Sequence, residues 1–262
     1  MILHAPVHKL SRQPRAFVLG LCRDSALLAK LMTRTIRSRR LICLFSACMV
    51  FLGLWLAVLP NDDNWLRMMH SSGDRGQRAA MKFIAGQFSF WGDFGTYSVM
   101  LGTAVWFAGW WRRSRHLKLL AVATMASATF AGLTANVLRA SVGRPRPRTG
   151  LADGLYGPSW KSDYHSLPSA HTATAFASSL PVLVAAPQVG VPLVAFAGAV
   201  SWSRMQLNQH RPTDVVVAVW IASMFGLPLG LAVRRLRSKG DMETETEPPS
   251  DEPVEMGEAV NA

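Results

Sequence analysis

The sequence predicts an all-α integral membrane protein with six transmembrane helices in one bundle and a polar site at the outer membrane–water interface. A deficit of charged residues and a series of long apolar runs predict this class. Only 17% of the 262 residues are charged, whereas soluble domains have about 25%. The alternative is a large soluble protein with buried helices. Six such runs would leave that protein too little polar sequence to cover them.

Each predicted span is a run of about 20 apolar residues, the length that crosses the hydrocarbon core of a bilayer. Three charge-free runs lie at residues 41–60, 94–111 and 119–138. The run 172–203 is too long for one span and contains Pro187, Gly190 and Pro192. Because these residues favour a break, we divide this region into spans at 168–186 and 191–207. Residues 215–233 form the sixth span.

Basic residues next to the span ends predict the orientation. Lys and Arg cluster at residues 34–40, 112–118 and 234–239. With six spans, these clusters fall on one side, and an excess of Lys and Arg marks the cytoplasmic side. We expect a bacterial inner-membrane protein with both termini in the cytoplasm and the polar site on the periplasmic side. One cluster, which contains Arg139, Arg144, Arg146 and Arg148, falls on the outer side, and this exception indicates anion binding.

The chain divides into a basic cytoplasmic arm at 1–40, a six-span domain at 41–236 and an acidic tail at 237–262. The arm holds nine Lys or Arg and one acid, and a transit peptide is the alternative reading. Residues 241–262 hold eight acids and no Lys or Arg, so we expect disorder from Asp241 onward. The net charge is +12. The basic residues flank apolar runs instead of forming an exposed stripe, so no nucleic-acid partner is expected.

The outer loop at 61–93 is rich in aromatic residues and Met. We expect it to lie on the membrane surface, with its aromatic side chains at the level of the lipid headgroups. The alternative is that it covers the polar site.

Three short segments hold nearly all the polar residues beside spans three to six. They are Arg139-Ala-Ser-Val-Gly-Arg144-Pro-Arg146-Pro147, Pro168-Ser169-Ala170-His171, and Ser203-Arg204 followed by His210 and Asp214. All three fall at the outer ends of these spans, so we expect them to converge.

The residue types in these segments suit a phosphate group. Arg139, Arg146 and Arg204 present forked donors to phosphate oxygens. The segment that begins at Pro168 opens a helix, where free backbone N–H groups bind anions and Ser169 adds a hydroxyl donor.

The remaining side chains supply reacting groups. His171 and His210 provide a nucleophile and an acid. Asp214 lies one helical turn beyond His210, where a carboxylate fixes the imidazole tautomer and stabilises the cation formed on attack. It is the only acid in the three segments, which is poor for magnesium. We therefore predict neither a metal nor a cofactor.

These segments resemble the three signature motifs of the type-2 phosphatidic acid phosphatase family, whose superfamily includes vanadium-dependent haloperoxidases. The family motifs are Lys-x6-Arg-Pro, Pro-Ser-Gly-His and Ser-Arg-x5-His-x3-Asp. The third motif matches without deviation from Ser203 to Asp214. Arg139 stands where the family has Lys, and Ala170 stands where it has Gly. Ala would be strained if the site needs a positive φ at this position.

The resemblance implies a membrane phosphatase with a phosphohistidine intermediate. His210 would be the nucleophile, Asp214 its partner and His171 the proton donor to the leaving oxygen. The phosphate would be held by Arg139, Arg146, Ser169, the Ala170 N–H and Arg204. The expected partners are the bilayer and a lipid phosphate: a polyprenyl pyrophosphate, phosphatidic acid, phosphatidylglycerol phosphate or a phosphorylated lipid A. The alternatives are a vanadate-dependent haloperoxidase and an inactive lipid-binding or transport protein.

Overall fold

The computed structural model describes residues 61–71 and 73–245, together with the single positions 26, 30, 33, 48 and 51. At residues 71 and 238–245 it describes the backbone alone. Apart from the five single positions, the predicted arm, the first predicted span and the tail beyond residue 245 therefore lie outside the described residues.

The described residues form helices joined by short turns and one longer outer loop. In chain order the helices are α1 (Asp62–Ser71), α2 (Arg75–Trp91), α3 (Val99–Trp111), α4 (Arg115–Val142), α5 (Ala170–Ala185), α6 (Pro187–Gln206) and α7 (Pro212–Glu245). A π-helix, Phe94–Ser98, leads into α3, and two short 3-10 turns lie between α4 and α5. The predicted all-α class is confirmed for this part of the chain, in which the only β pairing is an isolated bridge between Arg144 and His165.

Five of the six predicted spans coincide with described helices. Spans two to six correspond to the π-helix with α3, then α4, α5, α6 and α7. Within the described ranges, two helices are long and apolar enough to cross a membrane, Arg115–Val142 and Pro212–Arg237. Ala170–Ala185 is apolar but shorter. The count of six spans therefore remains a prediction.

Helix α5 lies at the centre and packs against α4, α6 and α7. Its interfaces consist largely of small residues, which let helix backbones approach closely. Fully buried alanines at these contacts include Ala131, Ala135, Ala173, Ala177, Ala218 and Ala222. The Ser127 hydroxyl donates to the Ala177 carbonyl at 2.5 Å, which joins α4 to α5.

The outer loop at 61–93 forms α1 and α2. Asp74 caps α2 and exchanges hydrogen bonds with Gln77 in a capping box. One ring nitrogen of His70 lies 3.1 Å from the Gln206 carbonyl oxygen, so this loop reaches the C-terminal end of α6. Phe83 and Phe90 stay exposed on α2. The loop thus contacts the helix ends and also presents aromatic side chains outward.

The last helix continues into the segment where we expected disorder. Helix α7 ends at Glu245, so the backbone is helical at residues 241–245, and disorder of the tail stays a prediction. Extending a formed helix costs far less than nucleating one, and the first prolines of the tail occur only at 248 and 249.

Candidate active site

Gly143 ends α4 and turns the chain back toward the helix ends. It adopts φ = +63°, and its N–H donates to the Arg139 carbonyl at 3.2 Å. A Cβ at this position would overlap the carbonyl oxygen of Gly157. Because both the backbone angle and the available space exclude a side chain, glycine is required here. The turn places Arg144 against Thr213 and Asp214 at the start of α7.

The second segment opens α5 as predicted. Ser169 is the N-cap, and its side-chain oxygen accepts from the Thr172 N–H. Its hydroxyl proton remains a donor. Ala170 is the first helical residue and does not have a positive φ. The methyl that replaces the family's glycine hydrogen is therefore unstrained. The Ser169 N–H donates to the Asp214 carbonyl at 3.2 Å, which ties the second segment to the third.

The imidazole of His210 is buried and has a defined tautomer. Its Nδ1 lies 2.6 Å from the Ser166 carbonyl oxygen. A carbonyl only accepts hydrogen bonds, so Nδ1 carries the proton and the Nε2 lone pair is free. We expected the Asp214 carboxylate to fix the tautomer, but it lies 3.8 Å from Nδ1, beyond hydrogen-bond distance. The Ser166 carbonyl holds the tautomer, and Asp214 acts as a neighbouring charge. Burial lowers the pKa of His210, which keeps the ring neutral at pH 7.

The carboxylate of Asp214 is completely buried and fully engaged. It accepts hydrogen bonds from the Ser166 hydroxyl at 2.6 Å and the Arg211 N–H at 2.7 Å. Arg144 pairs with its other oxygen at 2.6 Å. This set of donors stabilises the ionised form and orients it beside His210.

Arg144 connects three acidic side chains. Besides Asp214, its guanidinium group pairs with Asp62 at 3.0 Å and Asp153 at 2.6 Å. Burial alone would lower the pKa of Arg144, but these carboxylates raise it above its ordinary value. Asp62 also accepts from the Thr213 N–H at 2.9 Å at the start of α7. Although Arg144 belongs to the basic cluster that we assigned to anion binding, its donors are directed to carboxylates.

Arg146 and Arg204 each present an Nε donor that no described residue accepts. Both Nε atoms are buried, and neither has a hydrogen-bond partner among the described residues. Arg146 also donates to the Gln209 side chain, and Arg204 to the Ser89 hydroxyl at 2.5 Å. Burial, with the charges of Arg148 and Arg139, lowers the pKa of Arg146. Like charges gathered in a low-dielectric site favour an anion between them.

His171 borders a cavity of about 350 Å³ that Arg139 and Ala170 also line. Its Nε2 lies 3.2 Å from Asp93 Oδ1. Asp93 precedes the π-helix, where its other oxygen accepts from the Gly95 N–H at 3.1 Å. This contact joins the start of α5 to the turn that precedes the π-helix.

The structure brings together the eight residues that the sequence predicted. The charges of Arg139, Arg146 and Arg204 act on one another and on the two histidines. Four contributors to the site were not predicted from the sequence: the acids Asp62 and Asp93, the structural role of Arg144, and the Ser166 carbonyl. Asp62 and Asp93 lie far from the motifs in sequence, and a backbone carbonyl leaves no sequence signal.

A comparison with protein families matches the part of the chain that contains this site. The sequence model described as "PAP2 superfamily" matches residues 117–237. A lipid A 1-phosphatase from Rhizobium johnstonii is 29% identical over 109 residues, which are 40% of this chain and 45% of that protein. A second, from Rhizobium etli, is 28% identical over 40% of this chain and 47% of that protein. The matched region thus spans about half the length of these relatives.

Two solved structures are also similar. The transmembrane PAP2 type phosphatidylglycerolphosphate phosphatase from Bacillus subtilis covers 76% of this chain and 96% of its own, at 19% identity and a TM-score of 0.45. LpxE from Aquifex aeolicus covers 66% of this chain and 94% of its own, at 18% identity and a TM-score of 0.41. The likeness to this family rests on the sequence match, which includes all three motif segments. Residues 117–237 of this chain are thus similar to the PAP2 superfamily.

Proposed function

We propose that this chain is an integral-membrane phosphatase that hydrolyses a lipid phosphate through a phosphohistidine on His210. One observation carries the proposal. Two buried guanidinium groups, Arg146 and Arg204, present Nε donors without described protein partners, and their charges act on an imidazole whose Nε2 lone pair is free. Donors for phosphate oxygens and a nucleophile therefore occupy one buried site.

The first step is in-line displacement at phosphorus. His210 Nε2 forms a bond to phosphorus while the bond to the leaving oxygen breaks. His171 gives its proton to that oxygen. Asp214 stabilises the cationic phosphoimidazole, and the arginines balance charge on the equatorial oxygens. In the second step, water attacks phosphorus, the phosphorus–nitrogen bond breaks, and the neutral His171 accepts the proton of the water.

Several features support a membrane location and a lipid substrate. Helix α4 and residues 212–237 of α7 have the length and apolarity of membrane spans. The relatives that match this region carry the name lipid A 1-phosphatase. The basic clusters at 112–118 and 234–239 favour a site on the periplasmic side, with both termini in the cytoplasm. The substrate classes that we propose are phospholipid phosphates, phosphorylated lipid A and polyprenyl pyrophosphates.

The reaction is proposed to proceed without a divalent metal. Arg139, Arg146 and Arg204 supply the positive charge that magnesium supplies in many other phosphoryl-transfer sites. The nearby acids Asp62, Asp153 and Asp214 are each paired with Arg144. Their oxygens are therefore already engaged by donors of the protein.

Phosphate release by the detergent-purified protein tests the proposed function. The panel contains phosphatidic acid, phosphatidylglycerol phosphate, lipid A 1-phosphate and a polyprenyl pyrophosphate, each with and without excess chelator. We expect release from at least one lipid at a rate that the chelator leaves unchanged. No release from any of these lipids would contradict the lipid phosphatase activity. Loss of turnover in chelator, restored by magnesium, would contradict the metal-independent mechanism.

A further inference from the structure

A groove runs from the candidate site along the membrane-spanning part of α4. It is the cavity of about 350 Å³ that His171 and Arg139 border at its polar end. Away from that end, its lining includes Ala128, Gly132 and Leu133 of α4. Leu133 is 60% exposed, so the groove opens onto the apolar outer face of this helix. A lipid bound at the site would therefore reach the bilayer beside α4.

Asn136 lies in this groove close to the phosphate-binding end. The α4 residues that line it recur every three or four positions, which places them on one face of the helix. Asn136 is three residues before Arg139, an axial separation of about 4.5 Å. The next turn of the same face holds Gly132 and Leu133. The amide therefore stands between the phosphate-binding end and the apolar part of the groove.

The Asn136 amide differs from the two threonine hydroxyls of the groove, which are bonded within their own helices. Thr129 donates to the Met125 carbonyl at 2.8 Å, and Thr174 donates to the Ala170 carbonyl at 3.1 Å. The Asn136 side chain makes no hydrogen bond to any residue that the structure describes. It also has no capping role, because α4 continues to Val142. Asn136 is exposed in the groove, so its amide is free to form a hydrogen bond with a ligand there.

His171 indicates which part of the substrate passes Asn136. It is the proton donor to the leaving oxygen in the proposed reaction, and it lines the same groove. The leaving alcohol, which is the lipid, therefore enters the groove. In acylated lipids this alcohol carries an ester carbonyl, an amide or a hydroxyl within a few bonds of the phosphate. A prenyl alcohol carries only carbon at these positions.

We propose that Asn136 is a specificity-determining residue, whose amide hydrogen-bonds to a carbonyl or hydroxyl group of the lipid beside its phosphate. The inference rests on the proposed function and narrows its substrate class. Acylated lipid phosphates are bound and oriented through this contact. Polyprenyl phosphates lack the partner and leave the amide unsatisfied in the groove.

Kinetics of the full-length protein in mixed micelles test this assignment. The substrates are phosphatidic acid, lipid A 1-phosphate, a polyprenyl phosphate and a water-soluble aryl phosphate. Asn136→Leu removes the amide and keeps similar volume. Thr129→Val is the matched control, because it removes a groove hydroxyl that is already bonded within its own helix.

We expect Asn136→Leu to lower kcat/KM about three- to tenfold on an acylated lipid relative to the polyprenyl phosphate, the effect of one hydrogen bond. Thr129→Val should keep the wild-type ratio. A loss on phosphatidic acid alone identifies an ester as the partner, and a loss on lipid A 1-phosphate alone identifies its amide or hydroxyl groups. An equal loss on all four substrates, or no loss on either acylated lipid, would overturn the role of Asn136. If the unaltered protein released phosphate from none of these substrates and from none of the lipids in the phosphate-release panel above, the proposed function itself would be wrong.

Discussion

At the scale of single residues, Arg144 and Arg148 belong to one segment but form different ion pairs. Arg144 is 3% exposed and pairs with three carboxylates, of which Asp62 and Asp214 are buried. Arg148 is 45% exposed and pairs with the exposed Asp163 at 2.6 Å. In the buried network, no water can take the place of Arg144 if it is lost. In the exposed pair, water readily takes the place of Arg148.

Arg144→Met should destabilise the protein strongly, because it leaves buried carboxylates without a counter-ion. We expect a loss of about 3–5 kcal/mol in the free energy of unfolding. Arg148→Met should change it by less than about 1 kcal/mol. Thermal unfolding in one detergent compares the two variants. Equal midpoints would show that the network around Arg144 does not hold the site together.

The loss of His171 should slow hydrolysis more for esters with a poor leaving group than for esters with a good one. A lipid alcohol has a high pKa and needs protonation to depart, whereas an activated aryl alcohol needs little. We expect His171→Ala to retain a larger fraction of the wild-type rate on an aryl phosphate than on a lipid phosphate. Rates on both esters measure this difference. Equal slowing of the two esters would remove His171 from the role of general acid.

At the scale of elements, the turn after α4 determines the direction in which the chain that carries Arg144 and Arg146 leaves the helix. Gly143 combines φ = +63° with a neighbouring carbonyl that leaves no room for a Cβ. Gly198 lies inside α6, where a Cβ would meet nothing within 4 Å. A methyl group is therefore excluded at Gly143 and accommodated at Gly198.

Gly143→Ala should lower the free energy of unfolding by at least about 2 kcal/mol, from backbone strain and overlap with Gly157. Gly198→Ala should be neutral or stabilising, because alanine favours a helix interior by about 1 kcal/mol over glycine. Denaturation of both variants under one condition makes the comparison. If both behave alike, the turn is not constrained as described.

The sequence predicted the elements that carry the motifs better than it predicted the contacts between elements. Spans two to six coincide with helices because apolar runs and helix-starting residues are local signals. The pairing of Asp62 with Arg144 joins residues 82 positions apart, and no local pattern encodes it. The outer loop was expected first on the membrane surface, yet α1 places Asp62 against the start of α7. The helical continuation to Glu245 was missed because composition was weighted above helix propagation.

At the scale of the whole molecule, the proposed orientation places the motif segments outside the cytoplasm. In a protein with Cys22, Cys43 and Cys48 replaced by serine, a cysteine at Gly154 should react with a membrane-impermeant thiol reagent added to intact cells. A Cβ at Gly154 meets no atom nearer than 3.6 Å. A cysteine at Arg237 should not react until the cells are permeabilised. The reverse labelling pattern would contradict the orientation.

The central claim is that the phosphoryl group is transferred to His210. The most direct measurement traps it on the protein with radiolabelled substrate, followed by quenching in alkaline detergent because phosphohistidine hydrolyses in acid. We expect label on the wild-type protein and none on His210→Ala, which should also lose turnover of every substrate. Label retained on His210→Ala would contradict the claim, even if the protein proves to be a phosphatase.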